Sequence, residues 1–252
     1  MRYSLSLFFP FTTTAIDFLN VKKNKKIQQK MISIERIRDI TPEIIEYMAK
    51  RLEEHDIFTA TIIGKQGCGK STLAKRLIGT FLNTYYPGQH VYLEIRGLDK
   101  ENLIENVLNE AEKMDINNAK CIAILLEDFS YSLNRDTTSN KIKNLWTQLR
   151  HVFHEKKILS FVIGHHFNAV PPILRACDII AFMSLDEKSI EYLTKSAQNV
   201  DASTYIKLFL KLEEEGVLEI GNKKIIYEKD KERLYLLLRN NYLFLTTNRI
   251  GN

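Results

Sequence analysis

Eight consecutive residues, Gly64, Lys65, Gln66, Gly67, Cys68, Gly69, Lys70 and Ser71, restrict the possible folds of this chain more than any other feature. They satisfy the pattern G-x-x-x-x-G-K-[ST], with Gly64, Gly69, Lys70 and Ser71 at the required positions. Residues 57–63 before them form a short β-branched run of strand length, and residues 71–79 after them have a helical pattern. The chemistry needs that order. Glycines let backbone N–H groups curl inward around phosphate oxygens, and the N-terminus of the following helix adds its partial positive charge. Lys70 would reach the β- and γ-phosphates and the Ser71 hydroxyl would hold Mg²⁺, with Thr72 completing the cradle. A glycine-rich turn that binds nothing does not explain why Lys70 and Ser71 open a helix.

The surrounding pattern predicts alternating strands and helices. Thr41 and Pro42 mark a helix start, with Thr41 as cap, running to about residue 54. Tyr86, Pro87 and Gly88 form a turn ahead of a strand at 90–95. A helix is expected over 102–114, and 121–126 is a continuous apolar run suited to a central parallel strand. A helix over 141–153 and strands at 158–163 and 178–183 complete the series. The fold class is therefore α/β, a phosphate-loop NTPase with a parallel sheet covered by helices on both faces, plus a small C-terminal α+β appendage. The expected divisions are a basic arm over 1–40, an ATPase domain over 41–185 and the appendage over 186–252.

Composition fits such a protein: 252 residues, 44% hydrophobic and 27% charged. Cys68, Cys121 and Cys177 show no C-x-x-C or His-paired spacing, so neither a disulfide framework nor zinc is expected, and a reducing cytoplasm is the default location. Cys68 lies in the phosphate loop, where oxidation would block nucleotide; the plainer alternative is a small neutral loop residue. The net charge of +5 is concentrated at residues 21–38, where Lys22, Lys23, Lys25, Lys26, Lys30, Arg36 and Arg38 face only Glu35. A basic arm on a near-neutral body suits nucleic acid or an acidic membrane surface; a solvated lead-in is the alternative. Residues 3–11 are apolar, but their lysines follow instead of preceding them and the run is too short to span a bilayer. Met31 is an alternative start to Met1.

The strand at 121–126 ends in Glu127 and Asp128. An apolar strand delivering two acids at its tip is what a Mg²⁺–nucleotide site needs: one carboxylate for the metal, its neighbour to orient and deprotonate water. With these two motifs, and with residues 149–166 and 171–182, the chain resembles the FtsK–HerA superfamily of DNA-pumping ATPases, including poxvirus-type genome-packaging ATPases. The resemblance covers about residues 57–185 and implies ATP, DNA, a homo-oligomeric ring and a source such as an archaeal virus or plasmid. It also implies that Glu127 manages Mg²⁺ and Asp128 activates water, although the family usually has Asp first. His165 occupies the place of a sensor that is normally Gln. Two polar residues closing a strand is the alternative account of His165 and His166. Arg150 and Arg175 match arginine-bearing segments, from which a guanidinium enters a neighbour's site.

Residues 186–252 carry eleven Lys/Arg and eleven Asp/Glu. A helix near 189–197, a helix from 202 to 215 capped by Asp201 and stopped by Gly216, and a hairpin around Gly221 and Asn222 outline a winged helix; a cap packed on the sheet is the alternative. The neutral charge and Glu213, Glu214 and Glu215 weaken a case for DNA binding there. Three functions follow as expectations. The first is an ATP-hydrolysing DNA translocase or packaging-type ATPase. The second is a replication-initiator-like, nucleotide-switched DNA-binding ATPase. The third is a small-molecule kinase, disfavoured because only Arg150 lies between Arg135 and Arg175, where a lid would need several arginines.

Overall fold

The computed structural model describes residues 33–96, 103–114, 116–127, 135–167, 170, 172–198, 202–220 and 223–249. The basic residues 22–30, Asp128, Asp201, Gly221 and Asn222 lie outside them. Strand β1 (Ser33–Arg36) is followed by α1 (Thr41–His55), β2 (Ile57–Ile63), α2 (Lys70–Tyr85), β3 (His90–Ile95), α3 (Leu103–Glu112) and β4 (Cys121–Leu126). Then come α4 (Arg135–Val152), β5 (Lys157–Gly164), a 3₁₀ turn (Pro172–Arg175), β6 (Ile179–Phe182), α5 (Glu187–Ser196) and α6 (Ala202–Glu215). Strands β7 (Val217–Ile220), β8 (Lys223–Ile226), β9 (Glu232–Arg239) and β10 (Tyr242–Arg249) close the chain.

Among the described residues the main sheet has seven strands in the order β10-β9-β6-β2-β5-β4-β3. β3, β4, β5, β2 and β6 are mutually parallel, as their apolar runs demand, because strands covered on both faces have no polar side to show. Alternation divides the core. Phe58, Ala60 and Ile62 of β2, with Ala123, Leu125, Phe161 and Ile163, pack under α1 and α2. Ile122, Ile124, Val162 and Phe182 face α3, α4, α5 and α6. The helices thus cover both faces.

The order of strands decides the site. β2 and β4 are not neighbours; β5 lies between them, in register with both (Thr61 with Val162, Val162 with Leu126). The tips of β2, β5 and β4 therefore end side by side along one edge, spaced by the interstrand distance of about 4.8 Å. At the opposite end of β2, Asp178 clamps the sheet. Its carboxylate accepts from Arg51 Nε (2.8 Å) and Nη2 (2.7 Å) and from the Thr59 backbone N–H (2.8 Å), joining α1, β2 and the entry to β6.

Two segments behave differently from the sequence expectation. Residues 232–249, within the expected 186–252 appendage, form β9 and β10; β9 runs antiparallel against β6 and extends the main sheet. Residues 33–36, at the end of the expected basic arm, form β1, which pairs in parallel with β8 of the β7–β8 hairpin to give a three-stranded second sheet. Arg36 pairs with Glu228 at 2.9 Å and Arg38 with Glu43. Thr41 does not cap α1. Its N–H (2.9 Å) and hydroxyl (2.6 Å) both donate to Asp39 Oδ1.

Candidate active site

Gly64 follows β2 and donates its N–H to the Gly164 carbonyl at 3.2 Å, which pins the start of the phosphate loop to the end of β5. Gly67 and Gly69 have φ of +78° and +94°, left-handed conformations that side chains resist, so the loop can turn its amides inward only because glycine stands there. Gly69 is the N-cap of α2, so the helix opens at the loop. Lys65, Gln66 and Gly67 are exposed, Cys68 and Gly69 half-buried, Ser71 half-buried in the first turn and Thr72 exposed. Lys70 is 5% exposed and its ammonium donates to the Lys65 carbonyl at 2.8 Å. The ammonium is thus folded back over its own loop. Lys65 N–H donates to Ser184 Oγ at 2.7 Å, tying the loop to the segment after β6. Burial pushes the Cys68 thiol above its ordinary pKa, against a smaller opposing influence of Lys70.

Glu127 extends β4 by one residue, its N–H bonded to the Ile95 carbonyl at 2.9 Å. Ala123 and Leu125 face α2, and Glu127 continues that alternation, so its carboxylate belongs to the face that carries the phosphate loop. It stands two strand spacings, about 10 Å, from β2. Glu127 is 8% exposed; Oε2 is 3.0 Å from Arg96 Nε, whereas Oε1 is buried without a hydrogen-bond partner. An orphaned, buried carboxylate oxygen beside a loop that carries Ser71 fits a hard, oxygen-seeking cation such as Mg²⁺.

Arg96 was not singled out by sequence pattern. Its guanidinium joins Glu127 to Glu94, which also binds Lys75 Nζ of α2 at 2.9 Å. The Lys75 contact, with Arg96 next, holds the Glu94 carboxyl below its ordinary range. The only local hint was a basic residue one position past an alternating strand. Recognising it required knowing that β3 ends beside β4.

His165 follows Gly164, directly between the tips of β2 and β4, and is half-buried; His166 is exposed. The two arginines are placed elsewhere. Arg150 is exposed at the end of α4, on a groove of about 650 Å³ lined also by Asp56, Ile57, Trp146, Phe153 and Ile158. Ile57 is the first residue of β2 and Ile158 the second of β5, so Arg150 is about a strand length, ~20 Å, from its own chain's loop. Arg175 is half-buried, with its guanidinium 4.4 Å from the centre of the Phe167 ring and Nη2 donating to the Val170 carbonyl at 3.1 Å.

No protein-family model and no curated protein matches the chain. Among solved structures, it is similar over 76% of its length to the genome packaging NTPase B204 from Sulfolobus turreted icosahedral virus 2 in complex with ATP-gammaS, at 9% identity, 98% of that chain and a TM-score of 0.46. It is also similar to a DNA polymerase III gamma subunit-related protein from Thermotoga maritima, with 9% identity over 67% of this chain and 53% of that one, at a TM-score of 0.38. A third is the cytoplasmic domain of the Thermomonospora curvata type VII secretion ATPase EccC, with 13% identity over 77% of this chain and 24% of that one, at 0.38. Among the described residues no helix is long and apolar enough to cross a membrane.

Proposed function

We propose that this chain binds Mg·ATP in the loop from Gly64 to Thr72 and hydrolyses it, working as an oligomeric DNA motor of the translocating or packaging kind. The observation that carries the ATPase reading is the coincidence, on one face and one edge of the sheet, of the buried Lys70 ammonium and the buried Glu127 carboxylate with its unpaired Oε1. A cradle that merely binds phosphate has no need to bury an acid 10 Å or so away, at a desolvation cost.

The residues divide the work. Backbone N–H groups of the loop surround the phosphates, and phosphate oxygens replace the Lys65 carbonyl as partner of Lys70. Ser71 and Glu127 are the groups that would hold Mg²⁺, which supplies charge neutralisation on the phosphate oxygens. Glu127 and Asp128 are the two acids assigned to orient an attacking water and take its proton, and His165, after β5 and between the tips of β2 and β4, would hydrogen-bond the terminal phosphate. The DNA assignment rests on the FtsK–HerA resemblance and on the basic residues before β1.

The test is ATP turnover by wild type, Lys70→Ala and Glu127→Gln, with and without single- and double-stranded DNA. Lys70→Ala should lose binding and turnover together. Glu127→Gln should keep nucleotide binding while turnover falls about 10²–10⁴-fold. Stimulation of the wild type by duplex DNA is the expected signature of a motor. A Lys70→Ala protein as active as wild type would remove the ATPase reading, and turnover indifferent to DNA would remove the motor.

A further inference from the structure

β6 runs toward the edge of the sheet that carries the phosphate loop. β9 is antiparallel to it, with Phe182 opposite Leu236, so β9 begins at that edge. Its alternation places Tyr235 and Leu237 on the face of α1 and α2, and Leu234, Leu236 and Leu238 on the other. Arg233 shares the parity of Tyr235 and therefore stands on the α2 face, at the start of α2. The packing agrees: a Cβ at Gly69, the residue before Lys70, would lie 3.5 Å from Arg233 Cγ and 3.8 Å from Cδ. The aliphatic stem of Arg233 thus rests on the loop glycine from which α2 starts.

The guanidinium is bonded to the main chain that precedes it. Nη1 donates to the Lys229 carbonyl, and to that of Glu232 at 3.4 Å. Lys229 lies in the β8–β9 turn and Glu232 is the first residue of β9. In the turn, Glu228 accepts from the N–H groups of Lys231 (2.9 Å) and Glu232 (3.0 Å). The turn is a junction: Glu228 pairs with Arg36 of β1, and Lys229 Nζ donates to the Glu213 carbonyl at the end of α6. Arg233 is half-buried, its stem lies over the phosphate loop, and among the described residues its Nη1 bonds main-chain carbonyls; a nucleotide polyphosphate is a stronger partner for such a guanidinium.

Resting on the ATP reading above, we propose that Arg233 is a phosphate-binding residue supplied by the nucleotide's own subunit. It exchanges the Lys229 carbonyl for a phosphate oxygen when nucleotide binds, and so couples occupancy of the loop to the β8–β9 turn and, through Glu228 and Arg36, to β1. The exchange is one of hydrogen bonds only. Arg233 stays protonated throughout.

The experiment compares wild type, Arg233→Met and Arg233→Lys. Methionine keeps a stem over Gly69 and removes the donors; lysine keeps a charge. Affinity for Mg·ATPγS and Mg·ADP is measured by calorimetry, and exchange of the amides of residues 228–232 is followed by hydrogen–deuterium mass spectrometry. Arg233→Met should bind Mg·ATPγS about tenfold more weakly, the size of one charge-assisted hydrogen bond, with Arg233→Lys in between. In wild type the turn amides should exchange faster once Mg·ATPγS is bound. In Arg233→Met they should be fast already and should not respond. Wild-type affinity and a wild-type exchange response in Arg233→Met would overturn the inference and leave the ATP reading standing. Absence of nucleotide binding in the wild type itself would overturn both. If Arg233→Met does not fold, wild-type affinity in Arg233→Lys together with a turn indifferent to nucleotide in wild type overturns the inference.

Discussion

Gly64 has no room for a side chain. A Cβ there would lie 2.7 Å from Cys68 Sγ, 3.2 Å from Met183 Cβ and 3.3 Å from the Ser184 nitrogen. Only the first of these can yield by a rotation, because the other two belong to the chain leaving β6. Gly64→Ala should therefore distort the loop and remove nucleotide binding while leaving most of the sheet intact. Adding Cys68→Ala should restore it in part and no further. Full recovery in a binding assay would show that the backbone behind Gly64 is softer than its contacts imply. The same contact bears on the chemistry of Cys68. Burial outweighs the nearby Lys70 and raises the thiol pKa, so less thiolate is present at a given pH than in a free cysteine. Alkylation should be slow at neutral pH and should climb to its midpoint only above the usual value of about 8.5. Bound Mg·ATP should slow it further. Cys121, fully buried with its thiol pushed up to about 12, is the internal reference that should remain unlabelled. A rate–pH profile by mass spectrometry checks the sign, and a midpoint below that of free cysteine would mean that Lys70 dominates. Oxidation of Cys68 as a regulatory event is correspondingly disfavoured.

At the scale of elements, the β9–β10 hairpin shows what local pattern conveys and what it withholds. Residues 57–63 and 121–126 were legible because a strand followed by a glycine-rich loop, or by two acids, carries its own context. Leu234 to Leu238 is an equally apolar run, but such a run does not say which strand it joins, and its partner β6 lies about fifty residues earlier. The turn did carry a signal: Asn240 and Asn241 have φ of +49° and +62°, the left-handed pair that a two-residue hairpin requires. β1 was hidden in the same way, as its residues look like part of a basic lead-in until β8 is placed beside them. Of the candidate site, the loop, Lys70 and Glu127 are suggested by sequence, whereas Arg96 and Arg233 are not, since any role for them depends on which strand ends lie together. The turn is open to test. Asn241→Gly should be neutral or slightly stabilising, and Asn241→Ala should cost about 1 kcal/mol in urea denaturation because alanine tolerates the left-handed region poorly. Equal midpoints for the two variants would mean the turn relaxes to another geometry.

On the scale of the whole molecule, the sheet has a phosphate-loop edge and an opposite edge, and the two candidate arginines are not equivalent. Arg175 is held within its own chain by Phe167, whose ring stacks in turn near Phe182 and Tyr192. Arg150 is exposed on the groove at the far edge, about 20 Å from the loop of its own subunit. A residue so placed cannot serve its own nucleotide. It can serve another only if the far edge of one subunit meets the loop edge of the next, which is a head-to-tail contact that closes into a ring or continues as a filament. That geometry makes a mixing experiment decisive. Lys70→Ala subunits have a dead cradle but keep Arg150, and Arg150→Ala subunits keep the cradle but lack the arginine. Each should be nearly inactive alone, since a guanidinium supplied in trans is worth about 10³–10⁵ in rate in related phosphoryl-transfer chemistry. An equimolar mixture should recover turnover at about a quarter of its interfaces, those where an intact cradle meets an intact arginine. An Arg150→Ala protein that is fully active alone, or a mixture that recovers nothing while sedimenting as an oligomer, would take the trans role away from Arg150.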